Sequence, residues 1–526
     1  MIRAFLSRLA AVMAALLGLA LTTAPAHAQW LRAESPRFVV YSNGSEDNLH
    51  QYVEQLETFE SLLRALHGMN MREAPPRRME MYLVRDLQDL RRVNPNTRET
   101  TGGFYSASGD NIFGIAAHGR ERNARSFNRS TADWIMLHEY VHHFMLQNAP
   151  YGYPGWIVEG YAEYFMTARF LPDMVEIGHH QEGRVGSGRN LPLRTLLTSS
   201  PWSLSDREER FNFYFQSWLL THYLMSDPER YQKLQAYLRA VAQGADPADA
   251  MEDAMGMSLG QLQRELSGYR RLRITQYPTH TIPTPEITVR ALGPAANDLL
   301  LEALQVKYYS ERGENDRLLS TVRSRARRYP DDPFAQLTLA RAEVRLGDQA
   351  EGERMLHQVL SQDLNNVEAL QLLASSLMER ARTDTENASA LDTEARGHLA
   401  RAYAADPDHF QTLYAIARNG GGRTIPAPDH ATEAYLAALE VAPQVSQLRL
   451  ETATALLGRG QLDYGEHILE PLLNTPHSPR TARYARALLD AARAGRPLAS
   501  VTWDSLDADD GEDGDGDDDD QDDETD

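Results

Sequence analysis

Histidine and glutamate recur at helical spacing in the segment Leu137-His-Glu-Tyr-Val-His142. His138 and His142 are four positions apart, so on an α-helix they project from one face, about 40° apart around the axis. Two imidazoles placed in this way can hold one zinc ion. Glu139 lies about 100° from His138, close enough to reach a metal-bound water without binding the metal itself. The chain has no cysteine, so any metal must be held by His, Asp or Glu.

A second segment, from Trp156 to Tyr164, supplies carboxylates at the same helical spacing. A catalytic zinc ion takes three protein ligands and keeps a fourth position for water. Glu159 is the natural third ligand, and Glu163, one turn later on the same face, is placed to accept the free N–H of a ligating histidine. A structural zinc site is a weaker alternative, because structural sites close the fourth position.

The elements that must position these residues can be read from apolar spacing. A helix is predicted over 131–147, because its apolar residues form a stripe at spacings of 3, 4 and 3: Trp134, Leu137, Val141 and Phe144. Upstream, apolar runs and turns predict a strand over 37–41, a helix over 46–66, a strand over 79–84 and a hairpin over 102–117. This order predicts an α+β domain, a small mixed sheet plus helices, rather than repeating βαβ units.

The paired motifs resemble those of the gluzincin metallopeptidases, a group that includes thermolysin and the aminopeptidase N family. The resemblance rests on H-E-Y-V-H over 138–142 and W-x-x-E-G-Y-A-E-Y over 156–164, and more loosely on the order of elements over 36–270. It implies that one zinc ion is bound by His138, His142 and Glu159. It also implies that Glu139 is the general base and that Glu163 orients a ligating histidine.

Three features differ from the aminopeptidase relatives. Val158 stands where those enzymes usually carry Asn, and the 16 residues between His142 and Glu159 are somewhat fewer than in those relatives. The strand that ends the hairpin, 111–117, also lacks the glutamate with which aminopeptidases hold a substrate amino terminus. The resemblance therefore favours endopeptidase over aminopeptidase action.

A tyrosine downstream of the zinc ligands is a second catalytic candidate. The relatives place a tyrosine on a helix at about this distance to donate a hydrogen bond to the oxyanion, and Tyr214 is the candidate by position. The alternative is that Tyr214, one of 23 tyrosines, only packs.

The second half of the chain has a different pattern. A Pro- and Thr-rich stretch over 277–285 predicts a boundary between a peptidase-like domain, 29–285, and a second domain, 286–500. In the second domain, small residues are spaced by 34, 41 and 38 positions: Ala340, Ala374, Ala415 and Ala453. A period near 34 resembles tetratricopeptide repeats and predicts an all-α repeat domain, a type that usually binds protein partners. Antiparallel helices without repeat ancestry remain the alternative.

The amino-terminal residues, 1–28, have the features of a signal peptide. Arg3 and Arg8 precede an apolar run over 9–21, and Ala26-His27-Ala28 fits the cleavage rule. The run is shorter than the ~20 residues that span a bilayer, so a membrane anchor is the weaker alternative. We expect an exported protein, periplasmic or extracellular, that is cleaved near Ala28 and has no stable membrane insertion.

The charge is concentrated at the carboxyl end. The formal net charge is -21, and fifteen acids lie within 504–526, which predicts a disordered acidic tail over 501–526. Without this tail and the leader, the chain carries about -8. A mildly acidic body does not support nucleic-acid binding.

Together these features predict a zinc-dependent endopeptidase that hydrolyses peptide bonds through a metal-activated water. Its expected partners are a protein or peptide substrate and a protein docked on the helical repeats. The alternative is a catalytically inactive peptidase-fold scaffold that acts as a protein-interaction module.

Overall fold

The structure of the protein is a computed structural model. It describes residues 29–99, 101–118, 131–180, 190–204, 206–308, 315–421, 424–475 and 478–503. The predicted signal peptide and residues 504–526 of the predicted acidic tail lie outside the described residues.

Nine strands form two sheets within the described residues. Their bounds are β1 (Leu31–Glu34), β2 (Phe38–Ser42), β3 (Met79–Val84), β4 (Gly103–Ala107), β5 (Ile112–Ala117), β6 (Arg169–Phe170), β7 (Met174–Ile177), β8 (Thr275–Pro278) and β9 (Thr288–Ala291). The larger sheet has the order β4-β5-β3-β2-β1-β9 and is mixed, with β3 parallel to both β2 and β5. The smaller sheet, β6-β7-β8, is antiparallel.

The helices of the first half of the chain pack around these sheets. They are α1 (Glu46–Leu66), α2 (Leu87–Val93), α3 (Thr131–Asn148), α4 (Gly155–Met166), α5 (Leu193–Thr198), α6 (Arg207–Met225), α7 (Pro228–Ala242), α8 (Pro247–Met255) and α9 (Leu259–Gly268). Local signals start several of them: the Ser45 side chain caps α1 by accepting from the Asn48 N–H, and Asp206 caps α6 in the same way from Glu208. We call residues 29–291 the N-terminal module.

The residues around the predicted domain boundary at 285 include two strands and a 3-10 turn rather than only a linker. Tyr277 and Pro278 end strand β8, and residues 279–281 form a 3-10 turn. Strand β9 then joins the larger sheet beside β1, with Leu31 opposite Ala291. The chain therefore contributes one more strand to the first module after residue 285, because pairing with β1 satisfies backbone groups that a linker would leave to water.

The described residues between 294 and 503 are mostly helical, and we call them the repeat module. The helices are α10 (Pro294–Tyr308), α11 (Asn315–Ala326), α12 (Pro333–Leu346), α13 (Gln349–Gln362), α14 (Val367–Thr383), α15 (Ala388–Ala405), α16 (Phe410–Asn419), α17 (Asp429–Val441), α18 (Ser446–Gly458), α19 (Leu462–Leu473) and α20 (Pro479–Arg493). Successive helices pack in pairs, as in α12 with α13 and α14 with α15. This run of paired helices follows the mixed sheet and helices of the first module.

The two modules share buried apolar surface. Helix α3 packs on one face of the larger sheet, where Tyr140 contacts Phe38, and the same core includes Tyr435 of the repeat module. The opposite face of the sheet is covered by α10, whose Leu301 packs with Phe113. The sheet is thus enclosed between the motif helix α3 and the first repeat helix.

None of the described helices is both long enough and apolar enough to cross a membrane.

Candidate metal centre

The rotation of α3 about its axis is fixed by buried side chains. Leu137 and Val141 are fully buried in the core, and the Tyr140 hydroxyl donates to Glu60 Oε2 at 2.7 Å. Glu60 in turn pairs with Arg64 at 2.6 Å. With these residues turned toward the sheet and α1, the face that carries His138 and His142 is turned toward α4.

Helix α4 is brought close by a glycine. A Cβ atom on Gly160 would lie 2.5 Å from the backbone oxygen of Ser217 and would also collide with Thr221 Oγ1, so α4 and α6 can approach this closely only with glycine here. At the start of α4, the Trp156 indole N–H donates to the Tyr237 hydroxyl at 2.9 Å. These contacts hold Glu159 and Glu163 opposite α3.

Three donor atoms meet at one point between the two helices. His138 Nε2 lies 3.0 Å from His142 Nε2, and Glu159 Oε2 lies 3.3 Å from the first and 3.7 Å from the second. All three side chains are buried, and their donor atoms lie within 4.8 Å of one another, as a metal site requires. In a tetrahedral zinc site with bonds of about 2.0–2.1 Å, neighbouring donors are roughly 3.3 Å apart. The donor types and their spacing therefore fit a tetrahedral divalent cation.

Glu163 lies behind His138. Its Oε1 atom is 3.5 Å from His138 Nδ1, and the carboxylate is buried. A carboxylate at this nitrogen favours the tautomer that carries hydrogen on Nδ1 and leaves Nε2 with a lone pair. The predicted role of Glu163 in orienting a histidine is consistent with this geometry.

Glu139 on α3 is close enough to the β4–β5 hairpin to affect Tyr105. Burial raises the pKa of the Tyr105 hydroxyl on β4, and the carboxylate of Glu139 raises it further, which puts the two groups near each other. The Tyr105 hydroxyl lies 2.9 Å from His143 Nδ1. Glu139, which follows His138 on α3, is therefore near the edge strand β4 of the larger sheet.

His143 links this group to the repeat module. Burial lowers its pKa to about 3, so its ring is neutral at pH 7 and carries one hydrogen. The Gln444 amide N–H donates to His143 Nε2 at 3.3 Å and to Gln147 Oε1 at 2.8 Å. Because Nε2 accepts, Nδ1 carries the hydrogen and donates to Tyr105.

Sequence reasoning did not identify Tyr105 or Gln444. Tyr105 lies in a predicted hairpin strand, and its position facing α3 rather than α10 depends on the register of that hairpin. Gln444 is 301 residues from His143, and no local pattern indicates such a contact.

Tyr214 lies on α6, one turn before Ser217, which abuts Gly160. Its ring packs edge-on against Phe213, with centroids 6.1 Å apart. The hydroxyl's role as an oxyanion donor stays a prediction.

No family model matches this chain, and no curated protein matches it. Among solved structures, it is similar to a thermophilic TPR protein of Thermus thermophilus, with 19% identity and a TM-score of 0.31. The match covers 38% of this chain and 99% of that protein. The match therefore spans a minority of this chain.

Proposed function

We propose that this protein is a zinc-dependent endopeptidase. The proposal rests on the donor triangle of His138, His142 and Glu159, whose edges of 3.0, 3.3 and 3.7 Å scatter around the value for tetrahedral zinc. Glu139 follows His138 on α3 and is not one of the three donors. Three ligands plus a neighbouring carboxylate are the set that a catalytic site needs, whereas a structural site takes a fourth ligand.

Each residue of the site then has a separate role in the proposed reaction. A bound zinc ion supplies an acidified water and polarises the scissile carbonyl. Glu139 accepts the proton of the attacking water and returns it to the leaving amine. Glu163 keeps His138 oriented, and Tyr214 is the proposed donor to the oxyanion.

Endopeptidase action is supported by the charges of the β4–β5 hairpin. Asp110, at the tip, is the acidic residue of the segment 103–117, and it pairs with Arg345 at 2.9 Å. It is therefore engaged with a cation and is not available to hold a substrate amino terminus. Strand β4 is at the edge of its sheet, so its outer backbone groups suit an extended peptide that continues past the cleaved bond.

The setting of the proposed activity follows from the sequence features. We propose export to the periplasm or the extracellular space with cleavage near Ala28. Tetratricopeptide-like stacks commonly bind proteins, so we also propose a protein substrate or partner for the parts of the repeat module that face away from the N-terminal module.

The decisive experiment compares the mature chain with Glu139→Gln. Zinc is measured per chain after metal loading and dialysis, and cleavage sites are mapped in a peptide library. We expect one zinc ion in both proteins and loss of at least 100-fold in hydrolysis rate in the variant, because general-base catalysis contributes about 10²–10⁴-fold. Glu54→Gln, an exposed position on α1, is the matched control and should keep full activity.

Two results would refute the proposal. One is a purified chain that takes up no zinc after loading. The other is hydrolysis that is equal in the wild type and Glu139→Gln. Zinc uptake without cleavage of any library peptide would favour the scaffold alternative.

A further inference from the structure

Four cationic side chains come together where one end of the larger sheet meets the repeat module. Arg77 lies two residues before the start of β3, Lys307 is in the last turn of α10, and Arg341 and Arg345 are on α12. We call these four residues the cationic recess. Three carboxylates accompany them: Glu80, Asp110 and Glu368.

The contacts show that these groups share one small space. Arg341 Nη2 pairs with Glu368 Oε1, and Lys307 Nζ lies 4.0 Å from the same oxygen. Arg345 Nη1 pairs with Asp110 Oδ2 at 2.9 Å. Arg77 Nη2 donates to Asn111 Oδ1, beside Asp110, at 3.2 Å. The recess therefore lies between the hairpin tip and the inner side of the repeats.

The carboxylates do not satisfy all of these cations. Asp110 is engaged by Arg345, Glu368 by Arg341, and Glu80 accepts from the Tyr82 hydroxyl at 3.0 Å. Within the part of the chain that the structure describes, Arg77 Nη1 is buried and has no hydrogen-bond partner. Lys307 is too far from Glu368, at 4.0 Å, for a hydrogen bond.

Burial and neighbouring cations both disfavour the charged form of Lys307. Burial lowers its pKa to about 7, with Arg341 and Arg77 lowering it further, while Glu80 and Asp110 act in the opposite direction. A lysine with its own carboxylate partner would keep its charge to higher pH. The recess is reachable from outside, because the side chain of Lys307 is 28% exposed.

The start of helix α16 adds to the positive field. The guanidinium of Arg77 lies 5.1 Å from the centre of the Phe410 ring, and Phe410 is the first residue of this helix. The preceding His409 is neutral at pH 7, since burial lowers its pKa to about 4 and the cations Arg77, Lys307 and Arg341 act in the same direction. The amino end of a helix favours a negative charge next to it.

We propose that the cationic recess binds a carboxylate of an acidic peptide. When Lys307 is protonated, four cations against three carboxylates leave one positive charge, which a single carboxylate balances and a phosphate dianion would exceed. The planar fork of a guanidinium such as Arg77 suits a carboxylate, and Lys307 adds a second donor at the solvent side. An acidic peptide from a separate chain and the acidic residues 504–526 of this chain have the same chemistry.

Amine labelling tests this proposal sharply, because the chain has two lysines, Lys307 and Lys233. The full chain is treated with an amine-reactive acylating reagent at pH 7.5 and low salt, with and without acetylated hexaglutamate amide, and each lysine is quantified by mass spectrometry. We expect the peptide to slow acylation of Lys307 at least fivefold and to leave Lys233, which is the internal control, unchanged. Hexaglutamine should have no effect on either lysine.

The labelling is repeated on a shortened chain that ends at Trp503 to identify the source of the carboxylate. This shortened chain keeps every described element. If residues 504–526 supply it, Lys307 is already protected in the full chain and becomes reactive in the shortened chain until hexaglutamate is added. If a separate peptide supplies the carboxylate, hexaglutamate should slow the acylation of Lys307 equally in the full and the shortened chain. Arg77→Gln, checked for folding by circular dichroism, should lose the protection.

The proposal is overturned if Lys307 reacts at the same rate with and without hexaglutamate in both chains. It is also overturned if inorganic phosphate protects Lys307 and hexaglutamate does not.

Discussion

At the scale of single residues, the candidate centre depends on a carboxylate that lies outside the donor triangle. Glu163 is buried behind His138 and is 3.5 Å from its Nδ1 atom. Since His138 can turn about its Cβ–Cγ bond, a partner on Nδ1 is what keeps Nε2 directed at Glu159 and His142.

Glu163→Ala should therefore weaken zinc binding by about 10–100-fold, the usual cost of removing such a partner. The dissociation constant is measured by competition with a chromophoric chelator, and circular dichroism checks that the helices are kept. Glu208→Ala, an exposed position on α6, is the matched control. Equal zinc affinity in the two variants would contradict an orienting role for Glu163.

A buried histidine on α6 contributes to the way that stability responds to acid. The ring of His222 on α6 is fully buried, with Nε2 donating to the Gly178 oxygen at 3.2 Å and Nδ1 accepting from the Tyr269 hydroxyl at 3.0 Å. Burial lowers its pKa to about 4, and Arg230 contributes in the same direction.

In the unfolded chain His222 titrates near about 6.5, so below that pH the unfolded chain binds a proton that the folded chain does not. Stability is therefore lost as pH falls from about 6.5 to about 4. Between pH 7.5 and 5.0 the free energy of unfolding should fall in both proteins. We expect the fall to be smaller in His222→Gln than in the wild type, by about 1–2 kcal/mol. Urea titrations at both pH values measure it, with exposed His50→Gln as control. Identical pH dependence in the wild type and His222→Gln would show that this ring does not control acid stability.

At the scale of elements, the distance between α4 and α6 sets the position of Glu159. The backbone of Gly160, next to Glu159, contacts Ser217 so closely that no Cβ atom fits between the helices. Any side chain at this position must move α4 relative to α6 and, with it, Glu159 relative to the histidine pair.

Gly160→Ala should lower stability by about 1–3 kcal/mol, as overpacking does, and should also weaken zinc binding. Gly397→Ala is the matched control: it lies within α15 with nothing near its Cβ position, and it should stabilise by about 0.5–1 kcal/mol. Chemical denaturation and zinc titration measure both variants. If Gly160→Ala binds zinc as tightly as the wild type, the helix spacing does not set the centre.

Helices and strands that have a local pattern in the sequence could be predicted from it. The helix that carries His138 and His142 was predicted over 131–147 and is found over 131–148, because its apolar period is local. The hairpin was predicted over 102–117 and is found as β4 and β5. The fit of Glu159 to the histidine pair was predicted from helical spacing and a family resemblance, and the three side chains do converge.

Other elements depend on contacts that no local pattern carries. Strand β9 has four partly or largely exposed residues, and it becomes a strand because β1 pairs with it. Cationic residues of the recess come from three separate segments, and their spacing along the chain shows no motif. Whether the centre hydrolyses peptides stays a prediction.

At the scale of the whole molecule, the repeat module is packed on the N-terminal module. Gln444 bonds to two residues of α3, the Trp202 indole N–H donates to the Thr475 oxygen at 3.1 Å, and Arg92 forms a paired contact with Glu302. Apolar residues of both modules share one core. A stack in this position supports the motif helix α3.

We therefore expect one cooperative unfolding transition for the whole chain rather than two. Differential scanning calorimetry should give a calorimetric enthalpy equal to the van't Hoff enthalpy, the test of a two-state transition. Residues 286–503 expressed alone should aggregate or unfold, since Phe410 and Tyr435 would lose their packing partners in the N-terminal module. Two separate transitions, or a stable isolated repeat module, would contradict this expectation.

The pairing of β1 with β9 affects the order in which the protein can assemble during synthesis. The first strand leaves the ribosome about 260 residues before its outer neighbour, a delay of roughly 13–50 s at normal elongation rates. Throughout that interval one side of β1 has unsatisfied backbone groups that can pair with a neighbouring nascent chain. A chaperone that binds extended, unpaired strands would act on this protein mainly before residue 291 has been made.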